Sequence, residues 1–288
     1  TTRKVLETQR NHGQKLESIG QLAAGIAHEI NTPIQFIGDN LRFLRDAFAD
    51  LELALQLQQR ALGEGGGGGA PGQDQAAFAA AAAEAWRKAD LPYLCAEIPR
   101  ATQQSIEGVE RVGGIVRAMK EFSHPGQEGA QPSDLNHAIQ TTLVVARNEY
   151  KYVAEAVTDL DAELPAVTCF LGELNQVFLN LIVNAAHAIA AANPDGRKGT
   201  VSISSRKVGE QVELRFGDDG TGIPESARKK IFDPFFTTKP VGKGTGQGLY
   251  LCHAIVVQRH GGTISFETET GKGTTFIVRL PISRPEPG

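Results

Sequence analysis

The chain has 288 residues, 41% of them hydrophobic and 22% charged, and a formal net charge of −4. This length suits two domains, the composition suits ordinary packed cores, and the slightly acidic balance gives no basis for a nucleic-acid surface. Three scattered cysteines, Cys95, Cys169 and Cys252, show neither a disulfide framework nor a zinc-ligand spacing, and predict reduced thiols in a cytoplasmic setting.

Helical pattern begins at once from Thr1, which reads as a fragment. No signal peptide is visible, and no apolar run approaches the roughly 20 residues a membrane helix needs, so no membrane segment is expected in this stretch. A missing upstream region could carry an anchor or a sensor. Leu16, Ile19, Ala23, Ile26, Ile30, Ile37, Leu41, Leu44, Phe48, Leu51 and Leu55 fall almost throughout on alternating steps of three and four. That is a heptad seam, which makes a long helix want a partner. Pro33 removes one backbone bond and predicts a kink rather than an end, because the pattern resumes.

Residues 63–75 read as a flexible glycine-rich linker, and an alanine-rich stretch broken by Pro92 and Pro99 follows, so 63–97 reads as an insertion. A second seam runs through Ile98, Thr102, Ser105, Val109, Val112, Val116, Met119 and Phe122 and stops before His124-Pro125-Gly126. Residues 1–124 therefore predict a helical hairpin. One hairpin has too little partner surface, so two copies are expected to form a dimeric four-helix bundle. A plain coiled-coil spacer is the alternative.

From about residue 131 the pattern changes. Helices are predicted near 134–148 and 172–191, with strands at Thr200–Arg206, Gln211–Phe216, Thr263–Glu267 and Thr274–Leu280. The last two strands flank a hairpin turn, Thr270-Gly271-Lys272-Gly273. The fold class expected overall is α+β: a long helical hairpin, then an α/β sandwich over 131–283 with helices on one face of a sheet.

Three segments carry nucleotide chemistry. Asp218-Asp219-Gly220-Thr221-Gly222-Ile223-Pro224 follows a strand, and Gly242-Lys243-Gly244-Thr245-Gly246-Gln247-Gly248-Leu249 precedes an apolar helix running to about Arg259. Glycines ahead of a helix let backbone N–H groups approach an anion. A mobile loop would use the same residues. Asn180 and Asn184 share one face of an otherwise apolar helix, where amides are costly without partners. A hydrated Mg2+ on ATP phosphates is one such partner, and a structural hydrogen-bond network another.

Together these segments resemble the ATPase fold shared by histidine kinases, Hsp90, MutL and type II topoisomerases. Asn180–Asn184 looks like the N box, Asp218–Gly222 like the first glycine box, Ile231–Lys239 like the F box, and Gly244–Leu249 like the second glycine box. The resemblance implies that ATP and Mg2+ bind here. Asp218 would accept a hydrogen bond from the adenine amino group, and Asn184 would hold Mg2+ with Asn180 near the phosphates. Gly220 and Gly222 would pass close to the nucleotide beside Ile223. Residues from about 225 to 245 would form a lid, with Thr237, Thr238, Lys239, Lys243, Gly244, Thr245, Gly246, Gly248 and Leu249 along it and just beyond. Phe235 and Phe236 are expected to anchor that lid. His187 stands where many members carry lysine, Ala188 where an aromatic is common and Gln247 where leucine is usual; His187 is therefore the candidate phosphate contact.

The heptad assignment puts His28 at position f, the most exposed, with Glu29 beside it and Thr32 one turn later. This segment, LESIGQLAAGIAHEINTPI, resembles the H box of the main histidine kinase class. The resemblance implies that His28 takes the γ-phosphoryl group of ATP, with Glu29 accepting the other ring proton. It also implies that Thr32 positions water if the kinase dephosphorylates its partner. That partner would be a response-regulator receiver domain, and the enzyme a homodimer. The rival readings are a GHKL ATPase, or an ATP-binding scaffold, that makes no phosphohistidine. His12, His124, His137, His253 and His260 read as structural or solvent residues.

Overall fold

The computed structural model describes the backbone of residues 2–62, 73–123, 129–238 and 246–283; side chains before residue 25 are not among those described. Most of the 63–75 linker, His124-Pro125-Gly126 and the seam side chains of Leu16, Ile19 and Ala23 lie outside the described residues. Contacts divide the chain into two units, His28–Gly114, and Thr1–Ala27 together with Ile115–Gly288.

The first unit is helical. It takes most of α1 (Thr2–Leu62), all of α2 (Gln73–Ala89) and the greater part of α3 (Leu91–Ser123). Pro33 lies inside α1 and does not end it. The alanine-rich insertion is a helix, as alanine's propensity favours, and it docks on α1. Trp86 Nε1 donates to Gln58 Oε1 at 2.9 Å, and the Arg60 guanidinium sits 5.9 Å over the Phe78 ring. The stretch is broken at Asp90, whose φ is 47°, and not at the prolines. Asp90 accepts the Tyr93 N–H as a helix cap, Pro92 occupies the first turn where no backbone donor is needed, and Pro99 is carried inside α3.

The seam that closes this hairpin keeps Ile37, Leu51 and Ile98 of the predicted rows, but small residues line its centre. On α1 it follows Pro33, Asn40, Ala47 and Ala54; on α3 it follows Leu94, Ala101 and Gly108. These rows are small, so the backbones approach closely. A Cβ on Gly108 would lie 2.7 Å from the Phe36 ring. Ala47, Ala89 and Leu94 make one cluster with Phe43, Leu51 and Ile98 around it. The large residues one position along, Ile34, Leu41, Phe48, Leu55 and Leu62, are each at least half exposed. So are Val109 and Val116 on α3.

In the second unit, β1 (Gln131–Ser133) pairs antiparallel with β3 (Val167–Cys169). The main sheet has the order β2-β4-β5-β7-β6, from β2 (Ala154–Leu160), β4 (Gly199–Val208), β5 (Gln211–Asp218), β6 (Thr263–Glu269) and β7 (Gly273–Pro281). β2 joins β4 in parallel, and every other pairing is antiparallel. α4 (Leu135–Tyr150) and α5 (Leu171–Ala192) pack on each other, and α5 covers β4, β5 and β7. Strict alternation along β4 sends Val201, Ile203 and Ser205 inward.

α5 buries Leu174, Phe178, Leu181, Ile182 and Ile189, each worth about 1.5–3 kcal/mol by transfer from water. By length and composition alone it is apolar enough to cross a membrane, yet 56% of that window is buried inside this unit, so it is read as the core helix. α6 (Glu225–Arg228) is a single turn, and α7 (Gly248–His253) continues through a π-helical turn at Ala254–Arg259. Gly261, at φ 63°, and Gly262 end it, their N–H groups bonding Val257 and Val256 carbonyls.

Candidate active site

The two groups of candidate residues fall in different units. His28, Glu29 and Thr32 lie on α1 in the helical unit, and the nucleotide candidates lie in the α/β unit.

Adjacent residues on a helix point about 100° apart, and here that separates His28 from Glu29. His28 is exposed, whereas Glu29 is 5% exposed and turned into the hairpin seam. There its carboxylate accepts from Arg111 Nη2 of α3 at 2.7 Å. Glu29 is thus an ion-paired seam residue here rather than a surface carboxylate. Thr32 Oγ1 donates to the His28 backbone carbonyl at 2.9 Å, so its proton is held by its own helix. Pro33, next to it, supplies no N–H for the Glu29 carbonyl, and these two departures loosen the ladder around His28.

The nucleotide candidates cluster on one end of the sheet. On α5, Asn180 and Asn184 are half-buried and His187 is exposed, all on the stripe turned away from the core. Asn180 also joins α5 to α7. A Cβ on Gly248 would lie 3.3 Å from its Oδ1, and its side chain hydrogen-bonds the Cys252 thiol. That contact accounts for Gly248 at the start of α7, where Leu249 is half-buried.

Asp218 ends β5. Its Oδ1 accepts the Gly220 N–H at 2.9 Å. Burial pushes its carboxyl up to about 6, against the pull of N–H bonds from Gly220 and Thr274, with the Asp219 charge adding to the rise. Asp219 itself accepts the Thr200 N–H at 2.8 Å and so fixes the start of the loop to β4.

The loop after Asp218 is clamped between α5 and the β6–β7 turn. Thr221 N–H bonds the Ala188 carbonyl, Gly271 N–H bonds Thr221, and Ile223 N–H bonds Thr268 Oγ1. The glycines are required by protein backbone. A Cβ on Gly220 would lie 2.5 Å from the Ala188 carbonyl carbon, and one on Gly222, at φ 69°, 2.3 Å from the Glu269 oxygen. Gly273, at φ 120°, leaves no room for a Cβ beside the Asp218 carbonyl. Thr268 and Gly273 are thus site-building residues; Gly273 is predicted only as part of the hairpin turn, and no local signal marks Thr268.

In the F-box segment the anchor differs from expectation. Phe235 is 72% exposed, so it does not sit in an apolar groove. Ile231 is buried and Phe232 packs against the His253 and Phe266 rings. Phe235 has φ 64°, and Gly246 meets its backbone directly. Phe236 is half-buried, while Thr237 and Thr238 are exposed. Lys239, Lys243, Gly244 and Thr245 lie outside the described residues.

This donor set fits a nucleotide. A half-buried carboxylate retains acceptor capacity beyond its Gly220 bond, and two amides sit on the stripe of α5 that the core leaves uncovered.

The sequence model of the histidine kinase-, DNA gyrase B- and HSP90-like ATPases matches residues 172–284. The chain is 30% identical over 283 residues to sensor histidine kinase ZraS of Escherichia coli K12, covering 98% of this chain and 50% of that protein. It is 27% identical over 285 residues to the signal transduction histidine-protein kinase AtoS of the same strain, covering 98% and 38%. The chain thus spans half or less of these relatives' length. The solved catalytic domain of histidine kinase ThkA is 31% identical, with 54% of this chain and 96% of that one covered and a TM-score of 0.47. Residues 172–284 thus carry an ATP-binding domain of the GHKL type, and the chain is similar over nearly its whole length to sensor histidine kinases.

Proposed function

We propose that this chain is the catalytic core of an ATP-dependent protein-histidine kinase that phosphorylates itself on His28 and passes the phosphoryl group to an aspartate of a response-regulator receiver domain. The observation that carries the reading is an exposed His28, in its H-box segment, on the helix that precedes a GHKL-type ATP-binding domain. In this reading residues 1–124 are the dimerisation and phosphotransfer domain and 131–283 the catalytic domain. Asp218 accepts the adenine amino group. Asn180, His187 and the Thr237–Leu249 segment, with Lys239, Lys243, Gly244 and Thr245 in it, hold the phosphates. Asn184 holds Mg2+, which supplies charge screening during in-line transfer.

The neutral imidazole of His28 is a competent nucleophile near pH 7. Its free nitrogen forms the bond to the γ-phosphorus, and the bond to the bridging oxygen breaks with its electron pair leaving on ADP. The proton on the other ring nitrogen passes to Glu29. Thr32 orients water when the reaction on the regulator runs as dephosphorylation.

The exposed heptad row of α1 supports a homodimer. Five large apolar residues at strict seven-residue spacing are what a coiled-coil partner covers, and Val109 and Val116 supply a second apolar row on α3.

The reading is tested by incubating the protein and a His28→Ala variant with radiolabelled Mg-ATP. Label that survives alkali, is lost in acid and is absent from the variant supports it. Nucleotide binding without label overturns it and favours an ATP-binding scaffold.

A further inference from the structure

The carboxylate assigned as proton acceptor does not face solvent beside His28. It lies in the helix–helix seam, 6% exposed, with Arg111 Nη2 at 2.7 Å. Arg111 comes from α3, 82 residues away, and its own side chain is 40% exposed. Arg111 therefore reaches from the hairpin surface inward to Glu29. The next acids along α3, Glu107 and Glu110, are exposed. Across the seam Glu29 faces Arg111, and His28 is one residue along α1.

Two physical consequences follow. A carboxylate bonded to a guanidinium is a weaker base, because the bond favours its ionised form. A carboxylate held in the seam is also set apart from an imidazole about 100° around the same helix. Both effects oppose the proton transfer that accompanies N–P bond formation. Both are relieved together when α1 and α3 shift enough to part the pair.

We propose that Arg111 is a positioning residue that restrains autophosphorylation: it holds Glu29 in the hairpin seam, and separating the two releases the base to His28. The inference rests on the reading of His28 as phosphoacceptor. It makes the relative placement of α1 and α3 the control on the reaction, because the pair spans the two helices and Pro33 lies one turn beyond Glu29.

The test is the rate of acid-labile, alkali-stable labelling from Mg-ATP between pH 5.5 and 9. It compares the unaltered protein, Arg111→Gln, Arg111→Lys, Glu29→Gln and the double variant Glu29→Gln/Arg111→Gln. Arg111→Gln is expected to label several-fold faster at pH 8 and to move the acid limb of its profile to higher pH, the direction in which loss of an adjacent cation moves a carboxylate. Arg111→Lys keeps the charge but loses the planar fork and is expected to fall between. In the Glu29→Gln background Arg111→Gln is expected to change nothing, because the arginine acts only through that carboxylate.

Equal rates and profiles for Arg111→Gln and the unaltered protein overturn the proposal. So does an equal effect of Arg111→Gln with and without Glu29, which would mark the arginine as merely structural. Should Arg111→Gln fail to give a cooperative thermal transition, Arg111→Lys carries the decision: an unchanged profile overturns the proposal and an intermediate one supports it. Failure of the underlying reading is separate, since the unaltered protein itself would then take no label on His28.

Discussion

Gly246 and Phe235 meet backbone to backbone: a Cβ on Gly246 would lie 2.4 Å from the Phe235 carbonyl carbon. Both residues are in the left-handed region, at φ 66° and 64°. The contact holds the end of the F-box segment against the residue that leads into α7. A glycine is required on one side, and a bulky residue carries about 1–2 kcal/mol of strain on the other.

Gly246→Ala is therefore expected to disrupt this contact twice over, by its own φ and by the clash. ATP affinity should fall, and His28 labelling at limiting ATP should fall with it, while the sheet domain still melts cooperatively. Phe235→Gly relieves the strain and removes only an exposed ring, so its thermal transition should stay or rise. Isothermal titration with ATP and thermal scans of both variants check this; normal ATP affinity in Gly246→Ala would separate this contact from nucleotide binding.

Asp218 sets stability against binding. Burial raises its carboxyl to about 6, so the fold favours the neutral form. The sign follows from linkage: with the folded value above the unfolded one, the contribution to stability is full below pH about 4 and is lost as pH rises through about 6. Asp218→Asn keeps an oxygen acceptor for Gly220 without the charge, so it should raise the melting temperature at pH 8. The same change weakens the acceptor proposed for adenine, so ATP binding should drop sharply. In the unaltered protein ATP affinity should decline as pH falls through about 6. Calorimetry at pH 5.5, 7 and 8 checks both halves.

The exposed row on α1 gives a separable test of assembly. Phe48 is 58% exposed and Leu41 55%, so neither is needed for the single hairpin to close. Leu41→Glu with Phe48→Glu should convert a dimer into a monomer that keeps its helicity and its ATP binding. Sedimentation velocity and circular dichroism distinguish this from unfolding, and an unchanged dimer would remove these residues from the interface.

How much could be read beforehand depends on how local the cause is. β4, β5, β6 and β7 announce themselves by alternation and by the turn at Gly271, and α5 by its apolar face. β2 was missed because AEAVTDL is an edge strand with only Ala154 buried, and β1 and β3 because three residues carry no period.

The predicted hairpin seam coincides only in part with the observed one, for a physical reason. Pattern reading follows large apolar residues, whereas close helix packing uses small ones such as Ala47, Ala54, Ala101 and Gly108. The larger residues are legible by size and spacing alone, although several of them are exposed. Arg111 could not have been picked out, since nothing local distinguishes an arginine that pairs with a glutamate 82 residues away. The glycines at 220, 222 and 246 were found as motif, but their immediate cause is contact with Ala188, Glu269 and Phe235, which only the fold brings near.

His260 was read as structural, and the structure gives it a defined job. It is 4% exposed, and the Phe170 N–H donates to its Nε2 at 3.0 Å. Nε2 must then be the bare nitrogen, so the proton is on Nδ1, which bonds the Ile255 carbonyl at 2.8 Å. The ring thus ties the end of the helical stretch after α7 to the residue just before α5, with Arg259 4.0 Å over the Phe170 ring beside it. His260→Ala removes the acceptor of the Phe170 N–H, leaves the Ile255 carbonyl only its bond from the backbone N–H of residue 260, and opens a cavity, an expected loss of about 2–4 kcal/mol. His260→Gln offers an acceptor and a donor at similar reach, so it should recover part of that loss. Urea unfolding at pH 8 measures both. If alanine and glutamine prove equally costly, the ring matters for its shape and not for its two hydrogen bonds.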